Sequence, residues 1–129
     1  MTSLNGEWVY RSFRPNDGKP SLVPWAPPGR LSVTTDATGK VDGKLTFPAV
    51  PGLEFRISGA ITPAVEGHFP EGVEFTGESG HSSVNRVHGY FIAGAGGPLV
   101  VGTIVSVTND PGKQPDGTSG PFVLTQTPC

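Results

Sequence analysis

The chain has 129 residues, a formal net charge of −2 at pH 7 and only 16% charged side chains, so no basic surplus exists for nucleic acid or an anionic membrane. A single domain over residues 1–129, built on one core, is expected at this length. The 19 glycines and 14 prolines cluster between apolar runs, as turn punctuation does in an all-β domain, instead of spreading through them.

The single cysteine, Cys129, cannot form an internal disulfide and fits a reducing, cytoplasmic setting. The opening "MTSLNGEW" lacks the basic segment and apolar run of a secretory signal. No stretch approaches the length of a membrane-spanning helix, so a soluble protein is expected.

No window holds a 3.6-residue apolar period, whereas period-two runs recur eight times. In chain order these are residues Glu7–Phe13, Arg30–Thr35, Val41–Phe47 and Leu53–Thr62. Gly72–Ser79, Ser83–Ile92, Leu99–Thr108 and Pro121–Thr127 complete the set. Most connections are short and rich in Gly, Asp, Asn and Pro, which reverse the chain and favour antiparallel neighbours. Eight such strands form a barrel or a two-sheet sandwich. A meander of this size closes naturally into an antiparallel up-and-down barrel.

Alternation assigns faces. Leu53, Phe55 and Ile57 share one face of the fourth strand, opposite Glu54, Arg56 and Ser58. Val73 and Phe75 oppose Glu74, Thr76 and Glu78 in the fifth. The seventh strand differs, because Leu99, Val100, Val101, Ile104, Val105 and Val107 make both its faces apolar. Its outer face is expected to meet a loop or another subunit, so a homo-oligomer through Leu99–Thr108 is a candidate assembly.

Gly6-Glu7-Trp8 opens the first strand with a glycine, one intervening residue and a tryptophan. A G-x-W there, ahead of an eight-stranded meander, resembles the calycin superfamily of lipocalins, fatty-acid-binding proteins and avidins. The longer "WVYRSF" resembles the opening of small, little-characterised bacterial barrels. The resemblance implies a small-molecule binding barrel. On physical grounds Trp8 suits a plug at a barrel end; if it only packs, its removal costs roughly 3–5 kcal/mol. The first connection, residues 14–29, is long and proline-rich. In calycins it commonly folds over the barrel mouth, which makes Trp25 a lid candidate. The alternative places Trp25 on the outer wall or in a subunit contact.

Arg86, His88 and Tyr90 lie two apart and point to one face of the sixth strand. Turned inward, they join Trp8, Tyr10, Phe55 and Phe75 around a cavity for a largely apolar small molecule, with an acidic group beside Arg86. A buried Arg86 needs an anion, from the ligand or from Glu74 or Glu78. Turned outward, the row faces solvent while Val87, Gly89 and Phe91 face the core. Alternation alone leaves both open.

His68, His81 and His88 have no metal-ligand spacing, "GAGG" at residues 94–97 lacks the context of a phosphate loop, and no serine sits in a nucleophile elbow. No cofactor or metal is expected, and no nucleic-acid or membrane partner. Three functions fit. The first is a barrel that binds a small hydrophobic molecule. The second is an isomerase or cyclase with His88 as acid–base group, aided by Tyr90 or Glu74. The third is a fully packed oligomeric interaction barrel without a ligand.

Overall fold

The structure, a computed structural model, describes residues 4–17, 19–80, 83–108 and 116–126. His81, residues 109–115, Thr127 and Cys129 lie outside the described residues. Among the described residues nine strands follow one another: β1 (Gly6–Pro15), β2 (Leu22–Pro24), β3 (Gly29–Thr35), β4 (Lys40–Thr46) and β5 (Glu54–Thr62), then β6 (Gly72–Ser79), β7 (Val84–Gly94), β8 (Gly97–Thr108) and β9 (Ser119–Gln126). Each pairs antiparallel with its neighbour in the order β2-β1-β3-β4-β5-β6-β7-β8-β9, and β1 also pairs with β9. That last ladder, running from Trp8↔Gln126 to Ser12↔Phe122, closes the sheet. Eight strands therefore form a closed antiparallel meander barrel, an architecture compatible with a calycin-like fold.

The eight expected strands are all present, with ends moved by one or two residues. β2 is the addition. Pairing of β1 with β3 ends at Tyr10↔Gly29, which leaves one edge of Phe13–Pro15 free, and Leu22–Pro24 pairs there. Three residues that end in proline show no alternation, so periodicity does not reveal them.

Among the described residues there is no helix, and hence none long and apolar enough to cross a membrane.

The inward rows make the core. Trp8 and Tyr10 of β1, Leu31 and Val33 of β3, Val41 and Leu45 of β4, and Phe55, Ile57 and Ile61 of β5 are all buried. Val73, Phe75, Val87, Val100, Ile104, Phe122 and Leu124 continue the lining through β6 to β9. Small barrels of this strand number are just wide enough for side chains to fill. Here a relay of rings does so. Phe55 meets Phe47 at 6.1 Å between ring centroids, Phe47 meets Tyr10 at 6.4 Å, Tyr10 meets Phe122 at 6.2 Å, and Phe122 meets Phe75 at 6.4 Å. Three of these contacts are edge-on and one is stacked, the arrangements that ring quadrupoles favour.

Glycines in the inward rows let the strands approach this closely. An added Cβ on Gly59 would sit 1.9 Å from the Glu74 carbonyl oxygen, and one on Gly102 would sit 2.0 Å from that of His88. Neither distance is tolerable, so the wall at these points is built backbone against backbone.

Both ends are stopped. At the end where β1 begins, Leu4 is fully buried beside Trp8, and its N–H donates to Thr35 Oγ1 at 3.0 Å. Gly6, at φ +108°, turns the chain from this clip into β1. At the opposite end, Trp25, Ala26 and Leu53 are half-buried against the core, and the Trp25 N–H donates to the Ser12 carbonyl at 2.9 Å.

Candidate functional site

The register of β7 decides where the expected site residues go. Val87 pairs with Phe75 on one side and Ile104 on the other, both core residues, so Val87, Gly89 and Phe91 form the inward row. Arg86, His88 and Tyr90 therefore stand on the outer wall: Arg86 is exposed, and the other two are half-buried. The inward row looks the weaker of the two in sequence because Gly89 occupies its middle. That glycine lies opposite Gly102, where an added Cβ would come within 2.5 Å of the Gly89 Cα.

The expected grouping is thus divided by the wall. Trp8, Tyr10, Phe55 and Phe75 point inward and are buried. Tyr10, Phe55 and Phe75 are members of the ring relay, and the Trp8 indole N–H donates to the Leu4 carbonyl at 3.0 Å. Trp25 lies over one barrel end, half-buried. Arg86, His88 and Tyr90 share the outside of β7, separated by that strand from the other five.

On the outside they meet different neighbours. Ser58, Ala60 and Thr76 are short, and around them rise Glu74, Arg86 and His88, giving a shallow depression of about 410 Å³ across β5, β6 and β7. Glu74 faces His88 in register, and its Oε1 lies 3.9 Å from His88 Nε2, an ion pair only when the imidazole is protonated. The two side chains are 39% and 64% exposed, so the pair contributes little to stability, about 0–1 kcal/mol. The Tyr90 ring meets the His88 imidazole edge-on at 5.0 Å. Of the two acids expected near Arg86, Glu74 faces His88 instead, and Glu78 lies opposite Arg56 and Val84. The depression offers a carboxylate, an imidazole, a guanidinium and two hydroxyls, an inventory suited to a polar ligand.

A second concavity, about 490 Å³, lies elsewhere on the outside of the barrel, where β2 stands beside β8 and β9. Phe13, Leu22, Val101, Pro121 and Val123 line it, nearly all apolar. Beyond it the outer row of β8 continues with Val105 and Val107, which are 37% and 42% exposed. The sequence marks β8 as apolar on both faces, and the structure leaves much of its outer face open. The groove itself was not foreseen, because Leu22, Val101 and Val123 come from three distant segments and only closure of the barrel unites them.

Among the described residues no group of three His, Cys, Asp or Glu side chains could hold a metal ion. Comparison with known protein families, with curated proteins and with solved structures finds no match to the chain.

Proposed function

We propose that this protein is a packed, calycin-like barrel that works by self-association through the outer wall of β8 and its neighbours. The observation that carries this reading is the pairing of a ring-filled interior with an apolar outer row on β8. Burial of apolar area drives association, and contiguous apolar patches on a soluble surface mark interaction sites. The G-x-W opening with Trp8 inward supports the calycin-like part, and the lone cysteine supports a cytoplasmic setting. Sedimentation velocity over a concentration series tests it, with Val101→Asp placing a charge in that outer row. Concentration-dependent association that this variant abolishes is the expected result. A monomer at every concentration sinks the reading.

A second reading keeps the small-molecule function and moves it outside. Arg86, His88 and Glu74 converge on one depression, and a small molecule with an acidic group fits beside the guanidinium there. The same depression is where His88 would act as acid–base group in an isomerase or cyclase. Native mass spectrometry of protein from its own host, before and after denaturation, looks for the retained molecule. Titration of any molecule found into Arg86→Ala then reads the anchor: unchanged affinity excludes Arg86.

A further inference from the structure

The connection from β5 to β6 carries an unusual projection. Val65 and Phe69 form an isolated bridge in which each backbone N–H donates to the other's carbonyl, at 2.8 and 2.9 Å. The His68 N–H also donates to the Val65 carbonyl at 2.8 Å, and Gly67 takes φ +77°. This tight turn holds two apolar side chains out of the barrel, Val65 at 47% and Phe69 at 60% exposure. The hydrogen bonds fix the backbone of this turn before it meets anything, so less backbone freedom is lost when it is covered.

The molecule also carries a receptor for such a knob. The groove of Phe13, Leu22, Val101, Pro121 and Val123 is apolar and encloses about 490 Å³. The two features lie at opposite ends of the barrel. Strand alternation puts the β5–β6 turn at the end where β1 begins, and the β1–β2 hairpin and the start of β9 at the other. Their charges are opposite as well. Arg11, Arg14 and Lys19 against Asp17 leave +2 around the β1–β2 hairpin, while Glu66 and Glu71 give −2 in the turn with His68 neutral.

We infer that the barrel associates head to tail, the Val65–Phe69 turn of one copy seating in the β1–β2–β8–β9 groove of the next. This rests on the reading of the outer wall of β8 as the working surface and names its occupant, a second copy. Knob and groove are different patches, so the contact is heterologous: each copy keeps a free knob at one end and a free groove at the other. One knob buries less than the ~800 Å² per partner of a stable complex, so assembly depends on concentration and weakens with salt.

The test uses sedimentation velocity on the full chain, on Phe69→Asp and on Leu22→Asp, with far-UV circular dichroism to confirm folding. Both positions are exposed, Leu22 at 54%, so neither change touches the core. Wild type is expected to grow in mass with concentration and to shrink as salt is raised, while each variant alone stays monomeric. An equimolar mixture of the variants is expected to form a dimer and nothing larger, because one chain still has its groove and the other its knob. Association of Phe69→Asp equal to that of wild type overturns the knob and leaves the outer-wall reading standing. Variants that stay monomeric when mixed overturn the head-to-tail geometry. A monomeric wild type overturns both. Should Leu22→Asp fail to fold, Arg11→Glu serves as the groove variant in the same mixture.

Discussion

The indole N–H of Trp8 donates to the carbonyl of Leu4 at 3.0 Å, with both residues buried at the barrel end where β1 begins. Leu4 is tied in turn through its own N–H to Thr35 Oγ1, at the end of β3. One tryptophan thus fills the end of the barrel and holds the strap that covers it.

The expected consequence is a graded loss of stability. Trp8→Ala removes the largest side chain of the core and should cost roughly 3–5 kcal/mol. Trp8→Phe keeps much of the apolar bulk but leaves the Leu4 carbonyl buried without its donor, at about 1–3 kcal/mol. Urea unfolding reads both as shifts of the midpoint at constant slope. A Trp8→Phe midpoint equal to wild type would mean that the hydrogen bond contributes nothing.

The eight barrel strands were legible because most carry one apolar and one polar row, and a half-buried sheet demands that pattern. β7 was not legible in its facing, since Gly89 leaves the Val87-x-Gly89-x-Phe91 row with a gap while the Arg86-x-His88-x-Tyr90 row carries two rings. Facing follows from the pairing of Val87 with Phe75 and Ile104, residues brought beside it only by the β6–β7 and β7–β8 ladders. The candidate surfaces were still less legible. Arg86 and His88 were named from spacing, but their meeting with Ser58 and Thr76 depends on register across three strands. Phe69 sits in a turn that periodicity passes over.

The close-approach glycines separate two kinds of substitution. Gly59→Ala places a methyl group against backbone that cannot move without shifting β6, and should cost at least the ~1–3 kcal/mol of an overpacked core. Gly77 is buried, but there the nearest atom to an added Cβ is Ile57 Cδ1 at 3.2 Å, the flexible end of a side chain. Gly77→Ala should therefore be much milder. Thermal unfolding of the two variants side by side checks this, and equal losses would remove the backbone-contact account of the wall.

Ser106 presents the opposite case. It is fully buried on β8, and among the described residues its Oγ is a buried polar side-chain atom with no hydrogen-bond partner. Its backbone is secured separately: the N–H donates to the Thr118 carbonyl at 2.8 Å, and its own carbonyl accepts from the Gly117 N–H at 2.6 Å. Burying an unpaired hydroxyl costs about 1–3 kcal/mol, so Ser106→Ala should raise the urea midpoint despite the lost volume. A lowered midpoint would show that the hydroxyl is satisfied in solution.

Tyr10 ties the ring relay to pH. Its phenol lies between Phe122, stacked at 6.2 Å, and the edge-on Phe47, and burial pushes its pKa up to about 12, with a hydrogen bond to Ser12 pulling the other way. In the unfolded chain the phenol returns to about 10. Between those values the unfolded state has released the proton and the folded state still holds it, so alkali favours unfolding. The stability at stake is about 3 kcal/mol, fully present below pH ~10 and lost as pH rises through ~12. The protein has two tyrosines, so Tyr90→Phe leaves Tyr10 as the sole phenol to follow by tyrosinate absorbance. Its signal should appear near pH 12 or together with loss of the far-UV spectrum, and Tyr10→Phe should flatten the alkaline decline in stability. Titration of Tyr10 near pH 10 in a folded barrel would mean that water reaches the ring relay, and the interior would then have to be reconsidered as a ligand site.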